Sequence, residues 1–153
     1  ETRITTYLGM FIEGFPNLIM PNGPQSGSAS TNYPRGIEIG VSWVSDFLEY
    51  VRANGHTRVE PAGDATERWT QHVEKMYSVM LMRKAKSWFT GYNSNVKGHE
   101  AGTIRYLVYN GGTPKYVSIV NQVAADGYAG LVFDGNPEGG AKAETQFTRR
   151  AAE

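Results

Sequence analysis

The chain has 153 residues, with 15 Lys+Arg against 15 Asp+Glu, no cysteine and a mean hydropathy of −0.43. That length suffices for one domain with its own core, and a formal charge of zero creates no global field for nucleic acid or anionic membrane. Disulfides and thiolate metal sites are excluded, no apolar run approaches membrane-spanning length, and neither a signal peptide nor an N-glycosylation sequon occurs, so a cytoplasmic location is expected.

The chain opens at Glu1 in a strand-like run without an initiator Met, the mark of part of something larger. Thr5 to Ile12 predicts a strand, with Tyr7, Leu8 and Met10 apolar and Gly9 a point of close backbone approach. A Gly14-Phe15-Pro16-Asn17 turn then introduces Leu18-Ile19-Met20, a short apolar run expected as a buried strand of a mostly parallel sheet. From Pro21 to Asn32 the sequence is polar and rich in small residues, and a helix follows. Strand, loop, helix N-terminus is the arrangement at which an open α/β sheet binds ligand, and a loop so lacking in bulk brings backbone N–H groups close to a flat polar molecule. On composition alone the plainer reading is a small-residue surface loop.

The helix is expected from Gly36 to Ala53, with Ile37, Val41, Val44, Leu48 and Val51 as its buried stripe, Pro34 before it and Asn54-Gly55 ending it. Thr57 to Pro61 reads as an extended link. Asp64-x-x-Glu67 resembles a capping box, opening a helix that carries Trp69, Val73, Met76 and Met80 on one face. His72 reads as a solvated or core-edge residue, and His56 and His99 lack the spacing of a zinc site. There is no Gly-x-Ser-x-Gly elbow and no catalytic triad.

Arg83, Lys84 and Lys86 form the one dense basic run, followed at once by Ser87-Trp88-Phe89-Thr90-Gly91-Tyr92-Asn93. Cations beside an aromatic and a glycine suit a phosphorylated ligand with flat rings; they equally suit a helix C-terminus with dipole-complementing cations and a packed Trp. Ile104 to Tyr109 predicts an alternating strand, and Gly111-Gly112 turns it into a helix from Pro114 to Ala125 bearing Tyr116, Ile119, Val120 and Val123. Gly127 stops that helix, Tyr128 to Phe133 is a final strand, and residues from Gly135 onward read as a mobile tail. No two of the 18 glycines stand as Gly-x-Gly, so the dinucleotide fingerprint and a Walker loop are missing.

GFPNLIMPNGPQS with Thr31-Asn32-Tyr33-Pro34, and Lys-Ser-Trp-Phe-x-Gly-x-Asn at residues 86–93, together resemble type I Baeyer–Villiger monooxygenases. The Gly-Gly–helix–Gly-Tyr-x-Gly ending is similar as well, and the resemblance spans about Tyr7 to Asp134. It implies an α/β fold, incomplete as given: the closing strands and helix of a flavoprotein with two dinucleotide-binding domains, then a helical and small-sheet cap. In that reading residues 1–35 end the FAD-binding domain, 36–134 form the cap and 135–153 a flexible tail.

The resemblance further implies an enzyme using FAD, NADPH and O2 to convert ketones to esters or lactones, with the missing upstream part as partner and the fragment alone inactive. It places Gln25, Asn32 and Tyr33 at the cofactor and Ser28, Ala29, Ser30 and Thr31 in the ketone pocket. It makes Trp88 a clamp on NADP, with Lys86 and Asn93 supporting its loop. Members usually continue Gly-Ala-Asn-x-Pro-Gly-Lys, whereas this chain has Gly91-Tyr92-Asn93-Ser94-Asn95-Val96-Lys97, similar to the branch that takes large cyclic ketones. The arginine on which the family's oxygen chemistry depends matches none of Arg35, Arg58 or Arg105, so no catalytic residue is assigned. The competing readings are a flavin N- or S-monooxygenase, against which the Trp88 motif argues, and a non-catalytic interaction module.

Overall fold

The computed structural model describes residues 3–27, 31–98 and 106–135. Three helices and a two-stranded sheet account for the regular structure: α1 (Tyr33–Ala53), β1 (Val59–Pro61), α2 (Gly63–Ser78), α3 (Thr113–Ala125) and β2 (Leu131–Phe133). Short 3-10 turns occupy Leu81–Lys84 and Trp88–Thr90.

Helix α1 begins three residues earlier than the pattern suggests. Asn32 caps it and Pro34 falls in its first turn, where the missing N–H costs nothing. Its buried face is rotated from the expected stripe. Gly40, Trp43, Val44 and Phe47 turn inward, whereas Ile37, Val41 and Leu48 remain 41%, 46% and 51% exposed. The aromatics decide this. Trp43 and Phe47 stack 5.7 Å apart and meet Phe11 and Tyr128 edge-on, burying more area than the aliphatic stripe could. Gly40 is required there, since a β-carbon would stand 2.0 Å from the Pro21 carbonyl oxygen. The Trp43 indole donates to the Val120 carbonyl at 2.9 Å, tying α1 to α3.

The sheet differs from the expected one. Residues 57–61 are more than a link, because β1 pairs antiparallel with β2, Val59 opposite Phe133 and Pro61 opposite Leu131. Thr5–Ile12 forms no strand: Leu8 and Gly9 both have positive φ, and the Met10 and Phe11 amides turn back to the Tyr7 carbonyl. Single bridges, Tyr7–Phe11 and Phe11–Ile19, replace the parallel pairing, and Leu18 is 41% exposed. Gly9 is the expected close approach, with room for no side chain against the Ser26 backbone. Of Ile104–Tyr109, residues 104–105 lie outside the described part, and 106–109 run irregularly between loops. The tail beyond Gly135 is likewise outside it.

Helix α2 starts at Gly63 behind Ala62, so Asp64 sits inside the first turn and no capping box forms. Asp64 instead binds Arg68 one turn on, at 2.6 Å, and Glu67 binds Arg3. Trp69, Val73 and Tyr77 are buried and Met76 partly so, while Met80 falls beyond the helix end. Helix α3 matches its pattern, with Tyr116, Val120 and Val123 inward and Gly127 in the left-handed region after it.

Candidate functional site

The polar loop after Met20 is held by its backbone from three sides. Its Met20 and Gly23 amides donate to the Met10 and Gly9 carbonyls, the Gln25 amide to Leu107 and the Tyr109 amide back to Ser26. Gln25 is fully buried in a left-handed conformation. Its side-chain oxygen accepts from the Thr6 hydroxyl at 2.8 Å, and its amide nitrogen donates to the Ile4 carbonyl at 3.2 Å. The side chain expected at the cofactor is thus committed inside the chain. Gly27 then lies against the Tyr116 ring, whose hydroxyl donates to the Leu8 carbonyl at 2.8 Å. Burial pushes the Tyr116 phenol well above its ordinary value, with Tyr109 adding to it, so the group stays a donor.

Ser28, Ala29 and Ser30 lie outside the described residues. The chain re-emerges at Thr31, half-buried, and enters α1 through Asn32 and Tyr33, both exposed. The Asn32 side chain accepts from the Arg35 amide, and no acidic residue occupies the first turn of this 21-residue helix.

The second segment is a small self-supporting turn. The Phe89 amide donates to the Ser87 hydroxyl, the Thr90 hydroxyl donates to the Ser87 carbonyl at 2.8 Å, and Gly91 closes the turn in the left-handed region. Trp88 is 64% exposed, its face stacked on Phe89 with ring centres 4.3 Å apart. It is not a packed core residue. Lys86 stands 5.7 Å over the Tyr92 ring, and the Asn93 side chain accepts from the Asn95 amide, bending the chain there. The structure joins this segment to the first loop: the Leu107 amide donates to the Phe89 carbonyl, and the Leu107 carbonyl accepts from the Gln25 amide.

An open groove of about 340 Å³ between α1 and α3 is lined by Arg35, Glu38, Ile39, Ser42, Trp43, Asp46 and Asn121, none of them a residue expected at the cofactor or the ketone. Among the described residues no cluster of His, Asp and Glu could hold a metal, and no helix is long and apolar enough to cross a membrane. Sequence reasoning missed two clasps between distant residues. Arg3 spans Glu67 and Glu74 on α2, and Asp134 accepts from the Thr57 and Arg58 amides with His56 at 2.7 Å. The Thr57 amide, then His56, then the Arg58 amide, hold the Asp134 carboxyl far below the usual carboxylate range. No local pattern could reveal either.

No family profile matches the chain. It is 34% identical over 128 residues to cyclopentanone 1,2-monooxygenase of Comamonas sp. (strain NCIMB 9872), covering 84% of this chain and 22% of that enzyme. It is 32% identical over 133 residues to the phenazine N-monooxygenase PhzNO1 of Lysobacter antibioticus, covering 87% and 23%. The crystal structure of cyclohexanone monooxygenase from Rhodococcus sp. Phi1 bound to NADP+ superposes with a TM-score of 0.75 at 35% identity, over 84% of this chain and 23% of that one. The homologues of this chain include Baeyer–Villiger monooxygenases, and it matches the C-terminal part of those enzymes. The chain thus spans less than a quarter of the relatives it matches. Another neighbouring structure, that of OTEMO, is a complex with FAD and NADP.

Those cofactors fit this chain in part. Exposed Trp88, two residues from Lys86, and the α1 N-terminus at Asn32 and Tyr33, whose first turn carries no acidic residue, suit flat rings and polar oxygens. A pyrophosphate does not fit, for no Gly-x-Gly occurs in the sequence.

Proposed function

We propose that this chain is the C-terminal part of a flavin-dependent Baeyer–Villiger monooxygenase converting ketones to esters or lactones with NADPH and O2. The observation that carries the proposal is the 35% identity and TM-score of 0.75 against an NADP+-bound cyclohexanone monooxygenase over 84% of this chain. A cytoplasmic location, expected from the cysteine-free composition, belongs to the same proposal.

FAD, when bound, supplies the oxygen-transfer chemistry. The chain's own share is positional. Residues 28–31 line the ketone pocket on a loop fixed at Gln25 and Gly27, and Asn32 and Tyr33 present the α1 N-terminus to the flavin ring. Trp88 covers the nicotinamide cofactor with Lys86 and Asn93 shaping its turn, which excludes water from the reacting centre. The division at residue 35, with the FAD-binding portion before it and the cap after it, is part of this reading.

The test is NADPH consumption by the complete enzyme with and without cyclohexanone, with the product identified. Ketone-dependent consumption yielding the lactone supports the reading; consumption without lactone overturns it. The likeness to a phenazine N-monooxygenase favours a second reading, N-oxygenation of an aromatic heterocycle. Phenazine in place of the ketone, with N-oxide as product, would select it.

A further inference from the structure

The chain is neutral overall, but its charge is unevenly spread. Residues 75–99 hold five of the 15 Lys+Arg and none of the 15 Asp+Glu. Lys75, Arg83, Lys84, Lys86 and Lys97 are all exposed. The same stretch carries the two most exposed large apolar side chains among the described residues, Val79 at 86% and Leu81 at 83%. Local structure holds them outward. Helix α2 ends at Ser78 and Val79 caps it. The Leu81–Lys84 turn that follows is closed by the Arg83 and Ala85 amides, which donate to the Met80 and Met82 carbonyls. Met82 is the inward residue of that turn, its sulfur accepting from the hydroxyl of buried Tyr77 at 3.6 Å. Side chains three apart eclipse in a 3-10 turn, so Leu81 and Lys84 project on one side.

We propose that residues 79–86 dock on an anionic lipid bilayer, with Val79 and Leu81 entering the acyl boundary while Arg83 and Lys84 meet the headgroup phosphates. Charge complementarity calls for an anion, and the two aliphatic side chains decide which. A nucleic acid offers phosphates but rewards aromatic stacking, whereas a bilayer lays its phosphates directly over an apolar layer. Lys75, Lys86 and Lys97 add to the field, which reaches about 8 Å at physiological salt. The attachment is peripheral, since no helix among the described residues is long and apolar enough to cross a membrane. It is independent of the reaction proposed above.

Flotation of the complete enzyme with vesicles tests it, using phosphatidylcholine alone and phosphatidylcholine mixed with phosphatidylserine. Binding to the mixed vesicles, little binding to the neutral ones and a decline with added salt are expected. Arg83→Gln with Lys84→Gln lowers the partition coefficient by about fivefold for each charge removed. Val79→Ser with Leu81→Ser lowers it by roughly tenfold or more. Both double variants melt close to the parent, because the replaced side chains are exposed. Equal binding to both vesicles, or binding to neither, overturns the proposal. Binding that falls with the charge variant and not with the serine variant overturns it in favour of a polyanion such as nucleic acid. A serine variant that melts early and loses FAD shows that the rest of the enzyme covers this surface, and overturns it as well.

Discussion

Gly27 lies against the ring of Tyr116 so closely that a β-carbon on it would stand 2.5 Å from Cγ. The contact seats the loop on α3 just before residues 28–31. Gly27→Ala forces ring or loop to shift, at about 1–3 kcal/mol for overpacking. Tyr116→Phe keeps the ring and removes only the donor to the Leu8 carbonyl, at roughly 1–3 kcal/mol for a buried acceptor left unmet. Both variants melt earlier than the parent. Only Gly27→Ala is expected to change the ranking of ketones by kcat/KM, because it alone displaces the loop.

Trp88 offers a cleaner separation of packing from function. A buried Trp truncated to Ala costs about 3–5 kcal/mol, whereas an exposed ring stacked on one neighbour loses at most about 1.5 kcal/mol. With 64% of Trp88 exposed, Trp88→Ala is expected to melt close to the parent. Its ratio of NADPH consumed to product formed should rise, as a less sealed site wastes reducing equivalents. A large drop in melting temperature with an unchanged ratio would return Trp88 to the core.

Gln25 and Thr6 form a buried pair whose loss should be non-additive. Gln25→Leu strands the Ile4 carbonyl, at roughly 1–3 kcal/mol, while the Thr6 hydroxyl keeps the Pro24 carbonyl 3.2 Å away as its acceptor. Thr6→Val removes the shorter of the two hydroxyl donors to the Gln25 side-chain oxygen in the parent and has no such acceptor to deprive in Gln25→Leu, so its cost should be smaller on that background. A double-mutant cycle by chemical denaturation measures the interaction.

Acid stability depends on His72. Burial, with Lys115 and Lys75 adding to it, lowers its imidazole to about 4, against about 6.5 when unfolded. The unfolded chain therefore takes up a proton that the folded one refuses. This contribution to stability is complete above about pH 6.5 and declines as the pH falls toward 4. Asp134 has the same sign, but its loss falls in a separate window, below the ordinary carboxylate range. Denaturation midpoints between pH 7 and 4 should slope in the parent and flatten in His72→Phe, which keeps the aromatic contact with Trp69 and Tyr109.

Local punctuation made the helices legible. Pro114 and Gly127 bracket α3, and its stripe is the buried one. On α1 the ends were readable but the face was not, since periodicity weighs Ile37 and Phe47 alike while packing favours the larger ring. The extended segments were illegible for a different reason. Residues 106–109 pair with Phe89 and with Gln25, partners that alternation within the run cannot name. At the candidate site, Trp88 stood out by its neighbours, whereas the inward turn of Gln25 depends on Thr6, nineteen positions away.

The outward stripe of α1 bears on how this polypeptide behaves in a test tube. Ile37, Val41 and Leu48 follow one another along the helix, and Tyr33 adds a ring 47% exposed at its start. Exposed apolar side chains recurring on one helix face, wetted on a freely diffusing molecule, drive colloidal self-association. Expressed alone, the 153-residue polypeptide should sediment as concentration-dependent oligomers. Charged replacements at Val41 and Leu48 should disperse them without melting the helix, whose inner face they do not touch.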